Sequence, residues 1–303
     1  MIDDRLLFLV SQPRAGSTMT QKILGCNPDV YTLSEPWVML HPLYALKTTG
    51  HAAEYNAAIA GNAVRDFLAS CEIDDSVYYG MLGQAYGKLY ESALNRAGKR
   101  FFLDKTPRYY LIIQELVKAF PNAKYVILLR NPLAVLCSLC SSYVKGNWAG
   151  VAEYKPDILA APALMLEGLE TLGERAIVVR YESILADPEQ QIRRLCDRLD
   201  LAYDDSMIVY GAGPNTQWRL GDKKQVNATD RPNRDNADAW IGQLQDPQMW
   251  RLCSDYLEML GRDTLAALGY AYDELRATVD SHAPRRWRLW RTTPLPTLLA
   301  SRP

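Results

Sequence analysis

The 303-residue sequence contains no run of 18 apolar residues, so it offers no transmembrane helix. Its first apolar run, Leu6 to Val10, is only five residues long and gives way to Gln12-Pro13-Arg14, too short for a signal-peptide core. Net charge is −1, so no global basic field draws the chain to nucleic acid, and any anion site has to be local. Histidine is scarce: His41, His51 and His282 all lie far from the C-x-x-C pair Cys137 and Cys140. Zinc would need two further ligands at motif spacing, so no metal is expected. Cys26, Cys71, Cys196 and Cys253 are scattered, which reads as small apolar residues rather than a disulfide framework. Internal repeats and interdomain linkers are also missing. What remains is ordinary globular material, 48% hydrophobic and 23% charged, able to bury a large core. The expectation is a soluble, cytoplasmic protein with one domain over residues 1–280 and a basic tail over 281–303. In that tail Trp287 and Trp290 sit among Arg285, Arg286, Arg288 and Arg291, read as a solvated, frayed terminus rather than a membrane or partner contact.

Short buried strands alternate with helical patterns. Leu6 to Val10, Arg100 to Leu103, Lys124 to Leu129 and Ala176 to Arg180 read as strands. Helices are expected over 17–25, 108–119, 132–145, 158–173, 188–199, 237–241, 246–260 and 262–275, and residues 36–97 are mostly helical in pattern. Residues 209–236 lose periodicity and read as a long functional loop. The alternation predicts a three-layer α/β fold, a parallel sheet flanked by helices on both faces.

Ser11-Gln12-Pro13-Arg14-Ala15-Gly16-Ser17-Thr18 links the first strand to the first helix. That is the carboxyl end of a strand, where open parallel sheets hold ligands, and the start of a helix, whose N–H groups and dipole attract anions. Gly16 permits close backbone approach, Ser17 and Thr18 add hydroxyl donors, and Arg14 adds a planar fork of charged donors. The competing reading is a tight turn with a capping serine. A nucleoside-triphosphate loop is not present, since no G-x-x-x-x-G-K-[ST] string occurs here. Arg130 follows the strand ending at Leu129, with Ser138 eight residues further, two turns into the next helix. Taken singly, these read equally well as a surface arginine and a small core residue. Taken with the first loop, two arginines at one sheet edge suggest a ligand with two separate anionic groups.

At this point the chain resembles the sulfotransferases that use 3′-phosphoadenosine 5′-phosphosulfate (PAPS). The likeness rests on Gln12-Pro13-Arg14-Ala15-Gly16-Ser17-Thr18, on Leu128-Leu129-Arg130-Asn131-Pro132 through Ser138, and on Val179-Arg180-Tyr181-Glu182-Ser183-Ile184-Leu185-Ala186-Asp187-Pro188. Arginine at 14, where cytosolic small-molecule enzymes have lysine, is similar to the bacterial and tyrosylprotein branches. The resemblance implies a P-loop-like sulfotransferase fold and PAPS as sulfuryl donor, with 3′,5′-adenosine bisphosphate as product and no metal. It implies that Arg14, Ala15, Gly16, Ser17 and Thr18 hold the 5′-phosphosulfate, and that Arg130 and Ser138 hold the 3′-phosphate. Tyr181 is a candidate for packing the nucleotide, although core packing is the commoner use of such a residue. Glu35, in Leu33-Ser34-Glu35-Pro36-Trp37, falls where the tyrosylprotein enzymes place their base, and Lys105, in Asp104-Lys105-Thr106-Pro107, where they place a lysine beside the transferred group.

Arg14 and Lys105 would then stabilise the leaving phosphate, and Glu35 would take the acceptor's proton. Helix capping by Glu35 and the rival bases His41 and His51 stay open. A second cofactor loop is expected near Gly221-Asp222-Lys223-Lys224 to Arg231-Pro232, with Lys224 and Arg231 as candidates and Lys223 and Arg234 as alternatives. The acceptor is a small molecule, carbohydrate, lipid or peptide presenting a hydroxyl or amine. Competing functions are a P-loop kinase of a small metabolite and a non-catalytic adenine-nucleotide-binding protein.

Overall fold

Six consecutive residues of the strand β1 (Leu6–Ser11) are buried, because apolar helices cover both faces of the sheet it centres. The computed structural model describes residues 2–47, 49–50, 53–212, 229–285 and 289–300. Five strands, β1, β2 (Val30–Thr32), β3 (Phe101–Lys105), β4 (Lys124–Leu129) and β5 (Ala176–Arg180), form a parallel sheet in the order β2-β3-β1-β4-β5. Register sets what meets at its carboxyl edge. Leu9 pairs with Lys105 and Ser11 with Leu128, so the residues after β1 and β4 and the last residue of β3 converge.

The helices are α1 (Ser17–Gly25), α2 (Leu40–Tyr44), α3 (Ala57–Ser70), α4 (Asp75–Ala97), α5 (Ile113–Ala119), α6 (Pro132–Leu139), α7 (Ala161–Leu172), α8 (Tyr181–Ala186), α9 (Pro188–Leu199), α10 (Pro247–Leu268), α11 (Tyr272–Ser281) and α12 (Leu295–Ala300). Alternation along β1 divides the core. Leu6, Phe8 and Val10 face α4, α5 and α7, with the Phe8 ring stacked 5.5 Å from Tyr125. Leu7 and Leu9 face Met19, Ile23 and Leu24 of α1 and Ile184 and Leu195 beyond. A third cluster packs α6 against α10 and α12.

The expected three-layer architecture is present, and several boundaries differ from the sequence reading. β2 carries only Val30, Tyr31 and Thr32, too few for a periodic signal. β3 continues through Asp104 and Lys105, whose charges read as loop although both are buried. The helix expected over 132–145 is α only to Leu139 and then a π turn over Cys140–Val144. The one expected over 262–275 is continuous with α10 across a kink at Gly261 and stops at Leu268. Gly269 closes it at φ 81, and a Cβ there would lie 1.7 Å from the Arg180 guanidinium, which donates to Leu268 O at 2.6 Å.

Residues 293–300 do not fray. Leu295, Leu298 and Leu299 are buried, Gln248 exchanges two 2.7 Å bonds with the Thr293 backbone, and Leu295 N–H donates to Asp255 at 2.9 Å. The arginines drew attention from an i, i+3, i+4 apolar pattern that makes one helical face. Among the tail residues singled out, Trp290 is exposed, and 286–288, including Trp287, lie outside the described residues. Leu295→Ala should cost about 2–5 kcal/mol in urea unfolding. A loss below about 0.5 kcal/mol, the usual surface value, would mean that the segment is not docked.

Candidate active site

The turn after β1 places two left-handed residues close together, Arg14 at φ 70 and Gly16 at φ 94. For Arg14 this is a strained conformation that the surrounding bonds have to hold. Gln12 anchors the turn by donating to Asp157 O at 2.9 Å, and Ala15 N–H donates back to Gln12 O at 3.3 Å. The chain then enters α1 with glycine at the cap, no side-chain cap and no acid in the first turn. The first N–H groups of α1 and the hydroxyls of Ser17 and Thr18 border a cleft of about 350 Å³. Ala15 itself is buried beneath it. Gly16 is required twice over, since a Cβ would fall 2.2 Å from the ring of Tyr181.

Arg130 enters the same cleft from the end of β4. Its Nη1 donates to Arg14 O at 2.8 Å and its Nη2 to Asn236 O at 3.5 Å. The guanidinium lies over the Tyr181 ring at 4.3 Å, a cation–π contact strengthened by burial. Burial pushes the Arg130 guanidinium down from its ordinary value, with Tyr181 and Glu182 opposing the shift and Arg14 reinforcing it. Its Nε is buried and has no hydrogen-bond partner among the described residues. Behind it, Glu182 takes Asn131 N–H at 2.8 Å and Tyr270 OH at 3.1 Å, fixing the β4–α6 turn. Ser138, in the last turn of α6, accepts from Arg14 Nε at 3.2 Å, so both predicted anion grips meet at one place.

Glu35 also lines the cleft, its side chain 13% exposed. It caps no helix, because the next helix, α2, begins at Leu40 and has Met39 at its cap. Its Oε1 accepts from Lys105 Nζ at 2.8 Å and its Oε2 from Trp37 Nε1 at 3.4 Å. Lys105 differs from the sequence expectation. It is fully buried at the end of β3, outside the cleft lining, and its ammonium reaches Glu35 and, at 3.4 Å, Thr18 Oγ1. It therefore meets the cleft through those two side chains.

The remaining candidates divide. Tyr181 lines the cleft. Arg231 does not: its guanidinium is mostly exposed, 3.9 Å from Asp230, and only its carbonyl faces inward, accepting from Tyr210 OH at 3.2 Å. Arg234 is exposed and also outside the lining, whereas Thr229, Asn233 and Asn236 of the same segment border the cleft. Lys223, Lys224 and His51 lie outside the described residues, and His41 is exposed away from the cleft. The sequence pattern gives residues 144–165 a share in shaping the acceptor pocket, but it does not single out Arg108, Tyr143, Tyr154 and Asp157, which line the cleft beside the Arg14 loop. Tyr143 and Tyr154 stack there at 5.2 Å, and Arg108 is held in a fork by the buried Asp157 at 2.8 and 3.3 Å, with Tyr110 OH on the same carboxylate at 2.6 Å. Arg108 was within reach of the reading, three residues after Lys105; the tyrosines carried no signal.

Arg14, Arg130, Ser138 and Glu35, read from separate parts of the sequence, thus line one cleft. A family model described as "Sulfotransferase family" matches residues 7–205, and the chain belongs to that family. The nodulation protein NoeE of Sinorhizobium fredii is 30% identical over 292 residues, covering 88% of this chain and 66% of its own length. Protein-tyrosine sulfotransferase A of Caenorhabditis elegans is 25% identical over 252 residues, covering 79% of this chain and 62% of its own length. The chain thus spans less than two thirds of either relative. In fold it is similar to the sulfotransferase domain from the curacin biosynthetic pathway, with TM-score 0.53 and 18% identity over 77% of this chain and 89% of that one. It is similar to the sulfotransferase domain of the Synechococcus PCC 7002 olefin synthase, with TM-score 0.50 and 20% identity over 78% and 86%.

Gly16→Ala should destabilise the chain by about 1–3 kcal/mol through overpacking and backbone strain. In a Tyr181→Ala background the steric part should vanish. An equal cost in both backgrounds, measured by urea unfolding, would show that the ring is not what requires glycine.

Proposed function

We propose that this chain transfers a sulfuryl group from PAPS to an acceptor hydroxyl or amine by in-line displacement, with Glu35 as base. The observation that carries the reading is that Arg14, Arg130 and Ser138 line one cleft together with the uncapped start of α1, and that Arg130 keeps a buried Nε without a hydrogen-bond partner among the described residues. A buried unpaired donor costs about 1–3 kcal/mol, and more when charged, which an anionic ligand recovers. The donor set suits a nucleotide with phosphates at both ends: the loop Arg14 to Thr18 for the 5′ end, Arg130 and Ser138 for the 3′ end, and Tyr181 beneath. Thr229, Asn233 and Asn236 replace Arg231 as the described part of the closing segment. A single unit over residues 1–280, with residues 293–300 packed onto it, belongs to the same proposal. So does a cytoplasmic setting. Among the described residues no helix is long and apolar enough to cross a membrane.

Bound PAPS supplies an activated sulfuryl group whose leaving partner is a nucleotide phosphate. Glu35 accepts the acceptor's proton as the new sulfur–oxygen (or sulfur–nitrogen) bond forms and the bond from sulfur to the phosphate oxygen breaks. The electron pair of that bond stays on the phosphate oxygen, where charge grows. Arg14 and the N–H groups opening α1 are fixed donors that stabilise that charge. Lys105 links Glu35, at 2.8 Å, to Thr18, at 3.4 Å. The walls formed by Trp37, Arg108, Tyr143 and Tyr154 orient the acceptor. The tyrosine sulfotransferase relative supports a hydroxyl acceptor.

Labelled sulfate should move from PAPS onto a member of an acceptor panel covering sugars, phenols, lipids and tyrosyl peptides. Glu35→Gln should retain bisphosphate binding and lose turnover by about a hundredfold or more. An unchanged rate would remove Glu35 as base. A thermal shift with ATP-magnesium and none with 3′,5′-adenosine bisphosphate would favour the kinase reading instead.

A further inference from the structure

Asp104 precedes Lys105 in β3 and does not line the cleft. It is 1% exposed and accepts three hydroxyl bonds. Tyr90 of α4 and Tyr109 donate to Oδ2 at 2.7 and 2.9 Å, and Thr106 donates to Oδ1 at 3.0 Å. Two of these hydroxyls serve again as acceptors. Thr106 Oγ1 receives the backbone N–H of Trp37 at 3.2 Å, and Tyr109 OH receives that of Met39 at 3.0 Å. Both amides belong to the segment that carries Glu35.

A carboxylate only accepts, and a hydroxyl has one hydrogen to give. Asp104 takes that hydrogen from Thr106 and from Tyr109, which leaves lone pairs facing the Glu35 segment. The direction of both outgoing bonds is therefore set by the charge on Asp104. The segment needs such a hold. Trp37 stands at φ 56, a left-handed conformation that a side chain of its bulk rarely adopts, and from there its indole reaches Glu35. One path of hydrogen bonds thus runs from Asp104 through Thr106 and Trp37 to Glu35.

We propose that Asp104 is a positioning residue for the transfer reaction: through Thr106 and Tyr109 its carboxylate holds the backbone of Trp37 and Met39 so that Glu35 meets the acceptor. This rests on Glu35 being the base. Burial raises Asp104 to about 6, against the pull of Tyr90, Tyr109, Thr106 and Lys105, so at neutral pH it is the acceptor that this role needs. Those side chains, with Glu35 beyond Lys105, are the titratable and hydrogen-bonding groups that face it.

Asp104→Asn keeps the shape but presents an amide donor, which turns one hydroxyl hydrogen toward the segment and into conflict with its N–H. Thr106→Val removes one relay at nearly constant volume, and Thr106→Ser restores it. Asp104→Asn and Thr106→Val should each lower kcat about tenfold or more, with the affinity for 3′,5′-adenosine bisphosphate held within about twofold and Thr106→Ser recovering most of the rate. Amide exchange over residues 35–40, read by mass spectrometry, should quicken in the first two variants and not in the third. An unchanged kcat in Thr106→Val, or a serine variant as slow as the valine one, would overturn the proposal. Exchange also separates the two levels. If the wild type transfers no sulfate, the functional reading fails by itself; if Thr106→Val leaves the segment fully protected, the positioning role fails whatever the activity.

Discussion

A single hydrogen bond, from Arg130 Nη1 to the carbonyl of Arg14, ties the end of β4 to the end of β1. Nearly everything in the cleft is arranged around it. It sets the guanidinium beside the loop that opens α1, against the face of Tyr181, whose ring in turn makes glycine obligatory at position 16. Taking a guanidinium out of water is costly, and two carbonyls and one aromatic face do not satisfy five N–H donors. Arg130 keeps unused N–H capacity, at Nε, where it lines the cleft.

The acceptor side is built on a different buried cation. Lys105 is fully inside, and it can keep its charge there because Glu35 and Thr18 receive its hydrogen bonds. That is why glutamine rather than alanine is the informative replacement for Glu35: an amide oxygen still faces the ammonium, while a truncation leaves a buried charge without a partner. The Arg108–Asp157 fork repeats the arrangement beside the Arg14 loop, with the carboxylate buried and the guanidinium half exposed. Both pairs are neutral overall, so the strongest net positive character of the cleft lies with Arg14 and Arg130.

How much of this the sequence announces depends on how far apart the partners lie. β1, β4 and β5 are legible because each is a short apolar run, and Arg14, Gly16 and Arg130 are legible because they lie in the turns that follow such runs. Ser138 follows at helical spacing. β3 loses its last two residues to the reading because Asp104 and Lys105 are charged, yet both are buried and Lys105 bonds Glu35. The Tyr143–Tyr154 stack and the union of Arg108 with Asp157, 49 residues on, are tertiary events with no local pattern. The closing segment shows the reverse error, where a basic residue, Arg231, drew the assignment and the neutral Asn233 and Asn236 occupy the cleft wall.

The central claim is that Arg130 grips one end of a nucleotide whose other end lies on the Arg14 loop, and a ligand-truncation cycle tests it most directly. Calorimetric affinities of wild type and Arg130→Ala would be measured for adenosine 3′,5′-bisphosphate and for adenosine 5′-monophosphate. The account predicts a loss of about tenfold or more, roughly 1.4 kcal/mol, for the bisphosphate and less than about twofold for the monophosphate. Equal losses for both ligands, or none for either, would contradict it.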